Sequence, residues 1–234
     1  MTTFVLVSGA WHGPSAWHRV VPLLEQAGAR TITPDLAYTP ETGLDDHVEQ
    51  VTAALDTAPA DDRVVLVGHS YAGLVVRQAA DARPNRVRHV VLVDGWAGPN
   101  GASMFTLAPD PFVQAVRASA EQRGNGTLIP APAPAAFGIT APDDAAWLER
   151  RLRPHPLRTF TDATRLNGAV DRIPGTGIYC RPQTFPFEDF AKSAGYRAIP
   201  VEGPHDVMLV HPELLTRLLL DIPADSETGS ASLR

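Results

Sequence analysis

The sequence predicts an α/β protein, with a mostly parallel sheet covered by helices on both faces. Two observations support this: short β-branched runs alternate with helix-length amphipathic segments, and the chain shows no repeat of fixed period. Its 234 residues are enough for one substantial domain with an inserted subdomain. The predicted strands are 3–8, 30–33, 63–67, 88–93, 177–180 and 196–201. The predicted helices are 15–27, 44–55, 71–81, 186–194 and 211–220.

The alternation breaks between Pro99 and about Pro174. Within this region the segment LIPAPAPAAFGITAP, residues 128–142, is rich in proline, which lacks an amide donor and fixes φ. Such a segment favours neither a helix nor a central strand. We therefore predict a core of residues 1–98 and 175–224 and a cap insertion of residues 99–174. Residues 225–234 have almost no apolar content and are predicted to form a flexible tail.

Composition narrows the classes of partner. Hydrophobic residues make up 44% of the chain and charged residues 20%, as in an ordinary globular protein. The net charge of −6 argues against nucleic acid or an anionic membrane surface, which both prefer basic patches. Cys180 is the single cysteine, so no internal disulfide and no Cys/His metal cluster is expected. No cofactor is expected either.

The compartment and source are also expectations from composition. The first residues, MTTFVLVSGAWHG, lack the basic region and the long apolar run of a signal peptide or membrane span, so a cytoplasmic protein is predicted. Nearly all basic residues are arginine, which indicates a GC-rich bacterial genome. A homodimer is one of the oligomeric states that the sequence leaves open.

The segment RVVLVGHSYAGLVVRQAA, residues 63–80, carries the main catalytic signal. A buried-looking strand runs into Gly68, Ser70 follows two positions later, and a helical pattern begins at once. A G-x-S-x-[G/A] string is weak evidence alone, but strand–turn–helix is the setting of a nucleophile elbow. Small residues at Gly68, Ala72 and Gly73 suit the crowded backbone of such a turn. The alternative is a plain small-residue turn.

A serine nucleophile needs a base, because its hydroxyl reacts poorly at neutral pH. His205 follows a predicted strand and a Gly-Pro loop and precedes the last helix, which is where the histidine of such hydrolases lies. His211 is interpreted as the start of that helix, and His69 is expected to pack or to bond backbone. His12 is a candidate pocket residue. The amides of Ala10 and Tyr71 are the predicted oxyanion donors.

Four segments together resemble a known family: VLVSGAWHGPSAWHRVVPLLEQAGARTITPDL, VVLVGHSYAGLVV, VVLVDGWAGPNGAS and GPHDVMLVHPELL. They resemble the α/β-hydrolase fold, and within it the branch of plant methyl esterases, hydroxynitrile lyases and small bacterial esterases. The resemblance implies a six-stranded, mostly parallel sheet in the order 2-1-3-4-5-6, with the site where the order reverses. It also implies that the insertion is the cap.

The triad acid is the point where the sequence departs from that family. Gln183 falls about where the family's carboxylate belongs, and a neutral amide cannot stabilise an imidazolium as a carboxylate does. Asp94, at the end of the fourth strand, is the first candidate acid. Glu188 or Asp189 and the absence of a working acid are the two remaining alternatives.

The resulting hypothesis is a serine hydrolase that cleaves a small or medium apolar carboxylic ester through an acyl-enzyme. Trp96, Phe137 and Trp147 are predicted to line the substrate pocket with His12. Lyase chemistry is disfavoured, because Asp206 stands where hydroxynitrile lyases carry a lysine. A non-hydrolytic biosynthetic enzyme or small-molecule binder is the alternative that Gln183 keeps open. A nicotinamide-dependent oxidoreductase is disfavoured because no G-x-G-x-x-G string follows the first strand.

Overall fold

The structure, a computed structural model, describes residues 1–228 and the side chains of residues 1–222. The last helix continues to Thr228, into the segment predicted as a tail. The rest of that predicted tail, residues 229–234, lies outside the described residues.

The elements follow the predicted alternation. The first half of the core contains β1 (Thr2–Val7), α1 (Val21–Gln26), β2 (Arg30–Ile32), α2 (Leu44–Thr57), β3 (Arg63–His69), α3 (Ala72–Ala82) and β4 (Val87–Val93). The insertion contains α4 (Met104–Leu107), α5 (Asp110–Arg123), β5 (Leu128–Ile129), α6 (Pro142–Glu149), β6 (His155–Pro156) and α7 (Arg158–Thr161). The chain then returns through β7 (Gly175–Arg181), α8 (Phe187–Ser193), β8 (Arg197–Glu202), α9 (Val207–Val210) and α10 (Pro212–Thr228).

The main sheet has six parallel strands in the order β2-β1-β3-β4-β7-β8. This confirms the predicted order, because β5 and β6 form a separate two-stranded antiparallel sheet inside the insertion. The order reverses between β1 and β3, so the crevice at the carboxyl ends of these two strands is the expected ligand site.

The core follows from the hydrophobic patterns of its elements. β1 and β3 are buried along almost their whole length, as expected for strands covered on both faces. In α2 the buried apolar side chains recur with helical spacing, at Leu44, Val48, Val51 and Leu55. One stripe of this helix therefore faces the protein while the opposite face is solvated.

Two predicted helices differ from the observed ones. The helix predicted at 15–27 is divided into a 3-10 turn at Pro14–Trp17 and α1, which starts one residue before Pro22. A proline at position 22 of a continuous helix would lack its amide donor and clash with the carbonyl of residue 18. Similarly, the last helix begins at Pro212 after the separate short helix α9.

The insertion is fastened to the core through buried polar side chains of α3. Asp81 accepts hydrogen bonds from the amides of Asn167 (2.6 Å) and Val170 (2.9 Å). Gln78 accepts from the Arg165 amide at 2.9 Å, and the Arg77 guanidinium donates at 2.6 Å to the carbonyl of Gly98, the residue directly before the insertion. These groups are desolvated, so each bond satisfies a backbone group that would otherwise be costly to bury.

None of the helices in the described part of the chain combines the length and the hydropathy needed to span a bilayer.

Candidate active site

Ser70 occupies the sharp turn between β3 and α3. Its φ is +53°, a left-handed backbone conformation that residues other than glycine rarely adopt. Three backbone bonds maintain the turn: the Ser70 amide donates to the Val93 carbonyl, and its carbonyl accepts from the amides of Gly73 and Trp96, all at 3.0 Å. The neighbouring strand β4 and the residues after it therefore hold the serine in this strained conformation.

Glycines are required around this turn because the backbone and side chains meet there. A Cβ on Gly68 would lie 2.6 Å from Val76 Cγ2 and 2.7 Å from the Ala72 carbonyl oxygen. A Cβ on Gly73 would overlap the Trp96 carbonyl oxygen. Steric contacts with neighbouring backbone and side chains therefore explain why the residues around Ser70 are small.

His205 pairs with Asp94 across the carboxyl edge of the sheet. Asp94 follows β4, has a φ of +43°, and is 1% exposed. Its Oδ2 lies 2.9 Å from His205 Nδ1, and its Oδ1 accepts a hydrogen bond from the Cys180 amide at 2.7 Å. Since a carboxylate accepts at both oxygens, Nδ1 carries the proton and the Nε2 lone pair of neutral His205 is free to accept a proton.

Two aromatic rings restrict the plane of the His205 imidazole. Phe187 lies nearly parallel to it, at 16° and with 5.5 Å between ring centroids. Phe137 is tilted by 17° with the centroids 6.5 Å apart. Together with the Asp94 hydrogen bond, these contacts limit rotation of the ring.

The other candidate acids have different partners. Gln183 is exposed, and its Oε1 accepts a hydrogen bond from the Glu188 amide at 3.1 Å at the start of α8. Glu188 forms an ion pair with Lys192, with 2.8 Å between Oε1 and Nζ, and the hydrogen bond from Lys192 lowers its pKa. Asp189 is exposed on the same helix. Among these acids, therefore, only Asp94 contacts His205 within the described residues.

The amides of Ala10 and Tyr71 are both available beside the turn. Ala10 lies in the loop after β1, and Tyr71 directly precedes α3. Within the described residues, neither amide donates a hydrogen bond to another protein group. The Tyr71 side chain points elsewhere, since its buried hydroxyl lies 3.1 Å from His47 Nδ1. Both N–H groups are therefore left without a protein acceptor in the described part of the chain.

Ser70 and His205 open into one apolar cavity with a volume of about 280 Å³. The insertion supplies most of the wall, and α5 contributes a continuous stripe of side chains. The other lining residues are Trp11, Trp96, Met104, Phe112, Ala115, Val116, Ser119, Arg123, Ile129, Pro130, Pro132, Ala136, Phe137, Thr184 and Phe185. A larger depression of about 620 Å³ at the start of α2 is lined mostly by polar residues and includes neither Ser70 nor His205.

The structure brings Trp96 and Phe137 to this cavity but not His12 or Trp147. Trp147 lies away from the cavity, stacked on His18 with 4.2 Å between ring centroids and covered by the Arg151 guanidinium. His12 lies in the loop after β1, is buried, and has protein partners at both of its ring nitrogens. The prediction that these two residues line the pocket is wrong.

Several cavity residues were missed from the sequence. Trp11 and Phe185 follow β1 and β7, and their place after parallel strands was a signal that they lie at the ligand-binding edge. Ser119 and Arg123 continue the α5 face that begins at Phe112, with the i, i+7 and i+11 spacing of one helical stripe. Recognising that stripe would have required knowing which face of α5 covers the site.

His69, the residue directly before Ser70, is a buried histidine that bonds to the backbone. Its Nε2 lies 3.1 Å from the His205 carbonyl oxygen, which confirms that it bonds backbone. Burial lowers the pKa of His69 to about 3, and the neighbouring His205 lowers it further. The ring is therefore neutral, with its proton on Nε2.

Comparison with known proteins agrees with this architecture. Residues 4–218 match the model of the alpha/beta hydrolase family. A carbendazim hydrolyzing esterase from Nocardioides sp. (strain SG-4G) is 29% identical over 242 residues, which cover 94% of this chain and 98% of that protein. Salicylic acid-binding protein 2 from Nicotiana tabacum is 26% identical over 260 residues, covering 94% and 96%.

Among solved structures, an extracellular alpha/beta-hydrolase from a Paenibacillus species superposes with a TM-score of 0.84. The two chains are 20% identical, and the match covers 94% of this chain and 98% of the other. The family match, the sheet order and the strained serine turn agree with one another. The chain belongs to the alpha/beta hydrolase family.

Proposed function

We propose that this protein is a serine esterase in which Ser70 is the nucleophile, His205 the base and Asp94 the acid. One observation carries the proposal: the strained serine turn and an imidazole paired with a buried carboxylate open into the same apolar cavity. The relationship to an esterase that matches nearly the whole chain supports ester hydrolysis.

In the proposed mechanism, Ser70 Oγ attacks the ester carbonyl carbon while His205 Nε2 accepts the hydroxyl proton. The ester C–O bond then breaks, and the same proton passes to the departing alkoxide. Water attacks the acyl-enzyme by the reverse sequence, releasing the acid and restoring Ser70. Asp94 stabilises the imidazolium formed in each half-reaction.

The negative charge that develops on the carbonyl oxygen needs preorganised donors. We assign this role to the amides of Ala10 and Tyr71, of which the latter lies at the start of α3, where the helix dipole also favours negative charge. Each such donor is worth about 10²- to 10³-fold in turnover in enzymes of this kind.

The cavity supports a small or medium apolar substrate. Its volume of about 280 Å³ and its wall of aromatic, aliphatic and proline side chains favour an ester with little polarity. Arg123 adds a positive charge to this wall: it lines the cavity, is exposed, and its guanidinium donates to the neutral Ser119 hydroxyl at 2.8 Å. We therefore expect tolerance of one anionic group on an otherwise apolar ester.

The alternative of a small-molecule binder or biosynthetic enzyme was kept open because Gln183 stands where the family's triad carboxylate is expected. The contact between Asp94 and His205 supports a complete set of Ser, His and carboxylate, so no specific observation favours a binder or biosynthetic enzyme over a hydrolase. A cytoplasmic location, a bacterial source, a homodimer and the lack of a nucleic-acid or membrane partner remain predictions from the sequence.

The test is hydrolysis of nitrophenyl esters of increasing acyl length by wild type, Ser70→Ala and Ser193→Ala. Ser193 ends α8, is exposed, and provides a matched loss of one hydroxyl. We expect turnover by wild type and Ser193→Ala and its loss in Ser70→Ala. Equal rates in Ser70→Ala and wild type, or no turnover by wild type at any acyl length, would contradict the proposal.

A further inference from the structure

A buried carboxylate and imidazole that the proposed mechanism does not use lie directly behind the site. Asp206, the residue after His205, is 0% exposed, and His12 in the loop after β1 is 3% exposed. Asp206 Oδ2 lies 3.0 Å from His12 Nε2, and His12 Nδ1 lies 2.7 Å from the Ala10 carbonyl oxygen. The chain of contacts therefore runs from the proposed oxyanion loop to the loop that carries the proposed base.

The two hydrogen bonds of His12 require a hydrogen on each ring nitrogen, which is one more than a neutral imidazole carries. A carbonyl oxygen only accepts, so His12 Nδ1 must carry a hydrogen, and a carboxylate also only accepts, so His12 Nε2 must carry one too. Burial lowers the pKa of His12, but the charge and the hydrogen bond of Asp206 outweigh it and leave that pKa raised. Asp206 has a lowered pKa, because the nearby histidines offset its burial. The hydrogen bonds are therefore satisfied when His12 is an imidazolium and Asp206 is a carboxylate.

The neighbouring histidines do not compete with His12 for this proton. His69 faces the same carboxylate, with 3.7 Å between its Nε2 and Asp206 Oδ1, but its own hydrogen points to the His205 carbonyl and the ring is neutral. His155, in the insertion, is also buried with a lowered pKa. His205 and the Cys180 thiol also interact electrostatically with Asp206, and the Tyr38 hydroxyl donates to the His12 carbonyl at 2.8 Å.

We propose that His12 and Asp206 are positioning residues: their proton-bearing bridge fixes the Ala10 loop against the His205 loop, and loss of that proton at alkaline pH lowers turnover. The inference rests on the proposed function for its effect on turnover. It assigns a role to Asp206, the residue that stands where related lyases carry a lysine.

Substitution of Asp206 separates the bridge from general packing. In Asp206→Asn, an amide hydrogen can donate to a neutral His12 Nε2 while His12 Nδ1 still donates to Ala10, so both bonds survive without the extra proton. In Asp206→Leu the bridge is lost and His12 Nε2 stays buried without a partner. Asp189→Asn removes an exposed carboxylate and serves as the control.

The first measurement is nitrogen-15 NMR of the His12 ring at pH 7.5, which needs no substrate. The proposal predicts two protonated ring nitrogens in wild type and Asp189→Asn, and a neutral ring in Asp206→Asn. A neutral His12 in wild type would overturn the bridge even in an active esterase. A charged His12 in a protein without esterase activity would leave the bridge intact and refute the proposed function instead.

The second measurement is the pH profile of kcat and KM. We expect Asp206→Leu to lose about 10- to 100-fold in kcat at all pH values with a smaller change in KM, because a misplaced oxyanion loop weakens the transition state. Asp206→Asn should retain more kcat than Asp206→Leu, and its kcat should not share the alkaline decline of wild type. Identical kcat profiles for the Asn and Leu variants would contradict the proposal.

Discussion

His205 Nδ1 lies 2.9 Å from Asp94 Oδ2, although 111 positions separate the two residues and Asp94 follows β4 rather than β7. Parallel strands end at one edge of a sheet, so an acid after β4 reaches the same histidine as an acid after β7. The Cys180 amide at the end of β7 donates to the other oxygen of Asp94, which fixes the carboxylate between the two strands.

Asp94→Asn should reduce kcat by about 10³- to 10⁴-fold, because an amide neither fixes the tautomer of His205 nor stabilises its imidazolium. Asp189→Asn, an exposed acid on α8, should retain wild-type rates. The measurement is kcat on a nitrophenyl ester with thermal unfolding as a folding control. Near-normal turnover by a folded Asp94→Asn would remove Asp94 from the mechanism.

Gly9→Ala should damage the serine turn. The added Cβ would lie 2.8 Å from His69 Nδ1 and 2.9 Å from Ser70 Cβ, closer than real Cβ contacts, and both side chains are buried. A displacement of about 1 Å at the nucleophile costs on the order of 10²-fold in turnover. Gly13→Ala is the matched control in the same loop, since its Cβ would lie 3.0 Å from the flexible end of the Arg153 side chain and at an ordinary contact distance of 3.7 Å from Asp35 Oδ1. Equal kcat for the two variants would argue against this steric explanation.

His155→Gln should weaken the acid sensitivity of folding. Burial holds the pKa of His155 well below its unfolded value of 6.5, so below pH 6.5 the unfolded state binds a proton that the folded state does not. Stability therefore falls as pH falls, by about 1.4 kcal/mol per pH unit for each such histidine. Urea unfolding at pH 6.5, 5.5 and 4.5 should give a shallower slope for His155→Gln than for the exposed control His211→Gln. Parallel slopes would show that His155 is protonated in the folded state.

Arg123→Gln should affect only esters that carry an anionic group. Because Arg123 is exposed, its ion pair with a substrate carboxylate is worth at most about 1 kcal/mol, which is a change in KM of up to about fivefold. Matched neutral and carboxylate-bearing esters, assayed with wild type, Arg123→Gln and the exposed control Arg150→Gln, separate the two cases. An equal KM change for both esters would exclude a charge effect.

The local features of this protein were predictable because they are encoded in neighbouring residues. The strand before Gly68 and the helix after Ala72 identify the turn at Ser70, and the Gly-Pro loop identifies His205. The prediction of one helix at 15–27 was wrong because it followed the apolar spacing and neglected Pro22, which lies in the first turn of a new helix. Sheet order followed from the family resemblance rather than from any single segment.

The direction of side chains was less predictable, because it depends on packing between distant segments. His12 was expected in the pocket, but its buried ring contacts Asp206, which lies 194 positions later in the chain. Trp147 was assigned to the pocket on its aromatic character, whereas the face of α6 that carries it packs on His18. The choice among Asp94, Glu188 and Asp189 likewise needed the tertiary structure.

Reaction with a fluorophosphonate, followed by peptide mapping of the modified residue, tests the central claim most directly. Activation of Ser70 by His205 and Asp94 predicts stoichiometric modification at Ser70 in wild type and a large drop in the labelling rate in His205→Ala. Modification of another residue, or equal labelling rates in wild type and a folded His205→Ala, would contradict it.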